Sequence, residues 1–93
     1  MMDLERDVER RLTHLVEQAG GICLKHGQDG WPDRIVMLPG GKIIWVELKR
    51  RVGVIADLQK YRAVQLAKVG QQVVVLRSVS EVNEFMIDQL EDE

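Results

Sequence analysis

Hydrophobic side chains recur every three or four positions between residues 4 and 19, which predicts an amphipathic helix. Asp3 precedes this pattern as the expected N-cap, and Gly20-Gly21 ends it. Glu5 falls inside the apolar stripe when successive residues are spaced at about 100°. Glu5 therefore either points towards the packed face or, as an acid in the first turn, leans to solvent and favours the helix dipole.

Runs rich in β-branched residues predict four strands, at residues 22–25, 34–38, 42–48 and 71–77. The second and third of these runs flank the sequence Pro-Gly-Gly, which predicts a β-hairpin. The fourth contains the continuous run VVVL, which is typical of a strand that is covered on both faces.

A second helical pattern covers residues 55–69 and stops at Gly70, and a capping-box sequence at residues 78–81 opens a third helix. Gln59 lies within the small, apolar face of the second helix and so points inward. Periodicity does not show whether Gln59 and Glu5 cover the same face of the sheet. A helix that joins two strands implies that those strands are parallel. The pattern therefore predicts an α/β fold of order α-β-β-β-α-β-α, with a mixed sheet flanked by helices.

Charged residues interrupt the apolar hairpin at Asp33, Glu47 and Lys49. Such charges must be paired, exposed or functional, because an isolated buried charge is unfavourable. Glu47 and Lys49 are two apart on a strand, so their side chains share a face. A two-residue loop would spoil the match between the acids, whereas a three-residue loop at 39–41 brings Asp33 opposite Glu47 on that face. We expect an odd-length loop or a bulge at this turn.

These residue types have the chemistry of a site for a hard cation. The carboxylates of Asp33, Glu47 and Glu5 offer the oxygen ligands that Mg²⁺ prefers, and the backbone carbonyl of Leu48 adds another. A cation held this way activates water and stabilises charge on a phosphate oxygen, while Lys49 orients that water or neutralises the transition state. The alternative is a structural network in which Lys49 forms a salt bridge with an acid and holds the hairpin.

The composition is that of one soluble globular domain spanning residues 1–93, with 45% hydrophobic and 30% charged residues. No apolar run approaches the ~18 residues of a membrane span, and the polar N-terminus lacks the apolar region of a secretory signal. A single cysteine, Cys23, excludes an internal disulfide and favours a reducing, intracellular setting.

The charge is unevenly distributed along the chain. The net charge of −2 argues weakly against nucleic acid as a partner. Residues 25–68, however, hold nine Lys and Arg against four acids, so the middle of the chain permits a phosphate-facing patch. Arg50 and Arg51, directly after Lys49, are equally consistent with phosphate contacts and with a solvated turn.

The segment GWPDRIVMLPGGKIIWVELK, residues 30–49, resembles the core of the PD-(D/E)xK nucleases and specifically the small VRR-NUC domains. The family pattern is a Glu in the first helix, a Lys, Gly-x-Pro-Asp, Glu-x-Lys, a Gln in the next helix and a Gly before the last strand. The matching residues here are Glu5, Lys25, Gly30-Trp31-Pro32-Asp33, Glu47-Leu48-Lys49, Gln59 and Gly70. Trp31 departs from the pattern because it is bulkier than expected, and it either stacks on a base or packs on the hairpin.

The resemblance implies an αβββαβ(α) nuclease core and assigns roles to individual residues. It implies that Asp33 and Glu47 bind Mg²⁺ or Mn²⁺, that Glu5 assists, and that Lys49 is catalytic. Gln59 is carried over as a catalytic-site residue. Nucleic-acid contacts are expected from three cations, which are Lys25, Arg50 and Arg51.

The function implied is a metal-dependent DNA endonuclease of bacterial or phage origin in the cytoplasm. Stand-alone members of the family resemble Holliday-junction resolvases and tend to be homodimers, so branched or duplex DNA is the expected substrate. Two other functions stay open at this point. One is a non-catalytic DNA-binding or accessory module with a nuclease-like fold, and the other is a structural interaction domain that binds no divalent metal.

Overall fold

Seven secondary-structure elements follow one another in a computed structural model that describes residues 2–91. They are α1 (Glu5–Gln18), β1 (Ile22–Lys25), β2 (Arg34–Leu38), β3 (Lys42–Leu48), α2 (Asp57–Lys68), β4 (Gln72–Leu76) and α3 (Val79–Glu91). This order confirms the predicted αβββαβ(α) arrangement. Residues 1, 92 and 93 of the predicted domain lie outside the described part. None of the helices in residues 2–91 has the length and apolar character needed to cross a membrane.

The four strands form one mixed sheet in the order β1-β2-β3-β4. β1, β2 and β3 pair antiparallel, whereas β3 and β4 pair parallel, as the crossover through α2 requires. Leu38 pairs with Lys42, so a three-residue loop joins β2 to β3. Gly40 and Gly41 in this loop have φ angles of 91° and 84°, which glycine adopts without a steric penalty. The predicted odd-length loop is therefore confirmed.

One face of the sheet, which we name the core face, packs against α1 and α3. Alternate residues of β3 supply Ile44, Val46 and Leu48 to it, and α1 contributes an apolar stripe that includes the fully buried Leu12. The opposite face, the α2 face, carries the intervening residues of β3, and its covering helix packs beside β4. The alternation of side chains along a strand thus separates an apolar layer from a mixed one.

The predicted N-cap of α1 is wrong. Leu4 occupies that position, and no side chain caps the helix. Asp3 instead accepts a hydrogen bond from the backbone N–H of Val79 through Oδ2 at 2.7 Å, so it caps the first turn of α3. The packing of α1 against α3 explains the exchange, because it brings the start of one helix within reach of the other.

The prediction that the VVVL strand is covered on both faces is also wrong. β4 lies at an edge of the sheet, and Val75 is 37% exposed. The capping-box sequence that follows β4 is confirmed in a modified form. The Glu81 N–H donates to Ser78 Oγ at 3.0 Å, and Glu81 Oε1 accepts from the Arg77 N–H at 2.7 Å. The start of α3 is therefore well satisfied even though its neighbouring strand is exposed.

Candidate active site

Asp33 and Glu47 lie side by side at the end of the hairpin, on the α2 face. The β2–β3 register pairs Arg34 with Val46, and its continuation pairs Asp33 with Glu47. The side chain of Asp33 lies within hydrogen-bonding reach of Glu47 and acts on its pKa. Asp33 Oδ2 also accepts the backbone N–H of Leu48 at 2.8 Å. The three-residue loop thus brings both acids to one face of the sheet, as the sequence predicted.

Glu47 is 4% exposed and is the one buried charged residue within the described part of the chain. Burial raises the pKa of Glu47 to about 8, and the hydrogen bond and charge of Asp33 act in the same direction. The positive charge of Lys49 lowers this pKa and the charge of Glu5 raises it. Burial and the neighbouring acid therefore favour the protonated form of Glu47.

Lys49 follows the last residue of β3 and keeps the pairing with β4. Its backbone N–H donates to the carbonyl oxygen of Leu76 at 3.1 Å. Its side chain shares the face of Glu47 because the two residues are two apart. No salt bridge joins Lys49 to Asp33 or Glu47 among residues 2–91. This arrangement disfavours the structural network in which Lys49 neutralises an acid to hold the hairpin.

Glu5 opens α1, and its exposed side chain is close enough for its charge to act on Glu47. Residues 2–91 contain no group of three or more His, Cys, Asp and Glu side chains placed to hold a metal ion. The acids that the described residues place side by side are therefore Asp33 and Glu47, and Glu5 does not complete a group of three with them.

Gln59 lies in the first turn of α2. Its Oε1 atom accepts the backbone N–H of Ala56 at 3.0 Å, so the side chain satisfies the start of its own helix. In the described residues no hydrogen bond joins Gln59 to Asp33 or Glu47. A catalytic role for Gln59 stays a prediction.

The predicted nucleic-acid contacts are all exposed but occupy two places. Arg50 and Arg51 lie in the turn directly after Lys49. Lys25 pairs with Arg34 in the β1–β2 register, so its side chain projects from the opposite side of the sheet to Asp33. The two arginines therefore adjoin the acid pair, whereas Lys25 lies across the sheet edge.

Comparison with known proteins places these features in a family, although no family model matches the sequence. "Putative nuclease p44" from Acyrthosiphon pisum secondary endosymbiont phage 1 is 40% identical over 77 residues, which cover 80% of this chain and 83% of the phage protein. A solved structure of a VRR_NUC domain superimposes with a TM-score of 0.80 at 29% identity, covering 89% of this chain and 94% of the other. The chain belongs to the VRR-NUC family.

In this VRR-NUC chain an aromatic cluster lies beside the acid pair, and the sequence did not predict it. The ring of Trp45 lies 6.1 Å from that of Trp31 and 5.6 Å from that of His26. Arg62 of α2 places its guanidinium 4.7 Å above Trp31, within range of a cation–π interaction. Trp45 and Glu47 are two residues apart on a strand, so the sequence could have shown that they share a face. Arg62 and His26 come from separate elements, so the sequence pattern does not place them beside the tryptophans.

His26 connects the cluster to Asp33. Its backbone N–H donates to the carbonyl oxygen of Asp33 at 2.8 Å. Trp45 donates from Nε1 to Gln71 Oε1 at 3.1 Å, so it is anchored at the start of β4 as well. Trp31 packs among these rings and under Arg62. The cluster is thus joined to Asp33 through the backbone of His26.

Proposed function

We propose that this VRR-NUC protein is a divalent-metal-dependent DNA endonuclease that hydrolyses phosphodiester bonds. The observation that carries the proposal is the buried Glu47 beside the half-buried Asp33, next to an unbridged Lys49. A scaffold gains nothing from a buried acid whose pKa is raised to about 8, because such a group destabilises the fold at neutral pH. Perturbed acids of this kind are typical of functional sites.

The oxygen atoms at the site fit Mg²⁺ or Mn²⁺. Asp33 and Glu47 would hold the cation, with the carbonyl of Leu48 as a further ligand and Glu5 assisting from the start of α1. When bound, the cation supplies an activated water and stabilises negative charge on the phosphate. The raised pKa of Glu47 means that its proton must leave before its carboxylate can act as a ligand, so affinity for the cation rises with pH.

Backbone and side-chain groups of the protein would position the acids and the reacting water. The Leu48 N–H fixes one oxygen of Asp33 at 2.8 Å and leaves the rest of that carboxylate directed towards Glu47. Lys49 offers a compact positive charge on the same face. This charge is suited to orienting the nucleophilic water or to offsetting negative charge on the phosphoryl oxygens in the transition state. Gln59, at the start of α2, would be a further residue of the catalytic site.

Recognition of DNA would rest on phosphate contacts. Arg50 and Arg51 are exposed next to Lys49, whereas Lys25 projects from the opposite side of the sheet and would make a separate phosphate contact. Symmetric cutting of two strands needs two active sites, so we include a homodimer and branched substrates such as a Holliday junction in the proposal. A cytoplasmic protein of a bacterium or phage would meet such DNA.

Cleavage assays test the proposal. A labelled four-way junction, the matching duplex and a single strand are incubated with Mg²⁺, Mn²⁺ or EDTA. We expect cation-dependent cleavage that falls about 10³-fold in Asp33→Asn, because the acid pair loses one ligand. Asp29→Asn removes an exposed loop acid and serves as the matched control. Cleavage in EDTA, or full activity of Asp33→Asn, would contradict the proposal.

The alternatives give different results in the same assay. Junction binding without cleavage under any cation would identify an accessory DNA-binding module. Sedimentation equilibrium tests the dimer separately, since a protein that is monomeric at assay concentrations does not carry two sites to one junction. Absence of both cleavage and binding, with no change in thermal stability on adding Mg²⁺, would identify a structural domain.

A further inference from the structure

One guanidinium group holds the turn that follows Lys49. Residues 50–53 form a tight turn in which the Gly53 N–H donates to the Arg50 carbonyl oxygen at 2.9 Å. Arg77, directly after β4, brings its Nη1 atom within 2.9 Å of Arg50 O, 3.4 Å of Arg51 O and 2.6 Å of Gly53 O. A single side-chain nitrogen thus donates to three carbonyl groups of a four-residue turn.

The same turn lies against the side chain of Lys49. A Cβ atom added at Gly53 would lie 3.5 Å from Lys49 Cδ and 3.2 Å from Arg50 O, so there is little room between the turn and the lysine stem. The backbone of Lys49 is fixed independently by its hydrogen bond to Leu76. The turn therefore lies beside the aliphatic part of the Lys49 side chain, at Cδ.

Arg77 is itself anchored. Its backbone N–H donates to Glu81 Oε1 at 2.7 Å, in the first turn of α3. The planar guanidinium has five donors in a fixed geometry, which suits it to bridging several carbonyl groups at once, whereas a lysine ammonium is a point charge on a flexible stem. A rigid element thus connects the start of α3 to the turn after Lys49.

We propose that Arg77 is a positioning residue of the nuclease site. By holding the turn at residues 50–53, it keeps the Lys49 ammonium in place beside Asp33 and Glu47. This inference rests on the proposed function, because it assigns Lys49 a role in cleavage. Displacing a catalytic group by about 1 Å can lower a rate about 10²-fold, so a contact remote from the reacting atoms has a measurable effect.

Steady-state cleavage by Arg77→Gln and Arg77→Lys tests the proposal, with Arg10→Gln on the exposed side of α1 as a control of equal charge change. We expect kcat to fall at least about 10-fold in Arg77→Gln with KM nearly unchanged, and to fall less in Arg77→Lys. In Arg77→Ala, methylguanidinium should restore part of kcat, whereas methylammonium at the same concentration should not. A merely structural role would not produce this selective rescue.

Gly53→Ala provides a second route to the same turn without touching Arg77. Its Cβ would crowd Arg50 O at 3.2 Å and come into contact with Lys49 Cδ at 3.5 Å, so the turn would shift and we expect a lower kcat here too. If Arg77→Gln does not fold, Arg77→Lys and Gly53→Ala decide the matter. Wild-type kcat in Gly53→Ala and in the folded Arg77 variant would overturn the proposal.

Amide hydrogen exchange separates this inference from the proposed function. The Gly53 amide should exchange faster in Arg77→Gln than in the wild type, because its turn is no longer held. Unchanged exchange at Gly53 would overturn the role of Arg77 even if cleavage falls. A wild-type protein that does not cleave DNA would instead refute the nuclease function. Faster exchange of the Gly53 amide in Arg77→Gln would still support the contact between Arg77 and the turn.

Discussion

The two faces of β3 carry opposite kinds of side chains on one backbone. On the core face Ile44 and Val46 are fully buried among apolar neighbours from α1 and α3. On the α2 face Glu47 is buried as well, yet burial and the neighbouring Asp33 raise its pKa, and the charge of Lys49 acts on it. Burial therefore stabilises the fold on the core face, whereas on the α2 face it makes the ionised form of an acid unfavourable.

This difference shows how a chain of 93 residues can maintain a charged site. Hydrophobic burial contributes about 25 cal/mol per Å² of apolar surface removed from water, and here it is concentrated on the core face. The α2 face is then free to hold groups that oppose folding. We expect substitutions on the α2 face to change catalysis and substitutions on the core face to change stability.

The largest expected effect is on catalysis. Lys49→Met keeps most of the unbranched stem but removes the ammonium group and its charge, and we expect kcat to fall about 10³-fold, or about 4 kcal/mol of transition-state stabilisation. The free energy of unfolding should change by less than about 1 kcal/mol, because Lys49 forms no salt bridge with either acid. Lys60→Met on the exposed side of α2 is the matched control. An active Lys49→Met enzyme would remove Lys49 from the mechanism.

The next largest effect is on stability and uses two neighbouring residues of β3. Ile44→Ala on the core face should lower the free energy of unfolding by about 3 kcal/mol, because it leaves a cavity in a fully buried position. Ile43 points to the other face and is 45% exposed, so Ile43→Ala should cost about 1 kcal/mol or less. Urea denaturation measures both. Equal losses would show that the two faces do not differ as described.

The hairpin was predictable from sequence because its determinants are local. The strand bounds 34–38 and 42–48 follow from β-branched runs, and Pro-Gly-Gly limits the loop, so the register that pairs Asp33 with Glu47 follows as well. The alternation of side chains along a strand also predicts that Ile44 and Glu47 lie on opposite faces of β3.

The contacts that depend on how elements pack were not predictable. Asp3 bonds to a residue 76 positions away, and Arg77 reaches a turn 24 to 27 positions earlier. A helical wheel gives the direction of a side chain relative to its own helix, but not the position of that helix on the sheet. It therefore placed Gln59 inward without showing that its amide would cap α2.

The third prediction concerns the pH dependence of stability without a divalent cation. The pKa of Glu47 rises from 4.5 to about 8 on folding, so its protonated form stabilises the folded state fully below pH 4.5. This contribution is lost as the pH rises towards 8. We expect the free energy of unfolding in EDTA to fall by about 2 kcal/mol between pH 5.5 and 7.5.

Two variants check the origin of that slope. Glu47→Gln cannot ionise, so its unfolding free energy should stay nearly flat over the same range and exceed that of the wild type at pH 7.5. Glu84→Gln removes an exposed acid of α3 and should keep the wild-type slope. Adding Mg²⁺ at pH 7.5 should raise the stability of the wild type but not of Glu47→Gln. If Glu47→Gln kept the wild-type dependence of the unfolding free energy on pH, a group other than Glu47 would be its cause.

The smallest expected effect concerns the two helices that cover the core face. Asp3 links them by accepting the Val79 N–H at 2.7 Å, and losing a helix cap of this kind costs about 1 kcal/mol. Asp3→Ala should lower the free energy of unfolding by that amount and speed amide exchange at Val79, whereas Asp3→Asn keeps an acceptor and should lose less. Because this contact belongs to the core layer, kcat should be unchanged. A fall in kcat at constant stability would instead place Asp3, two residues before Glu5, in the catalytic site and blur the separation between the two faces.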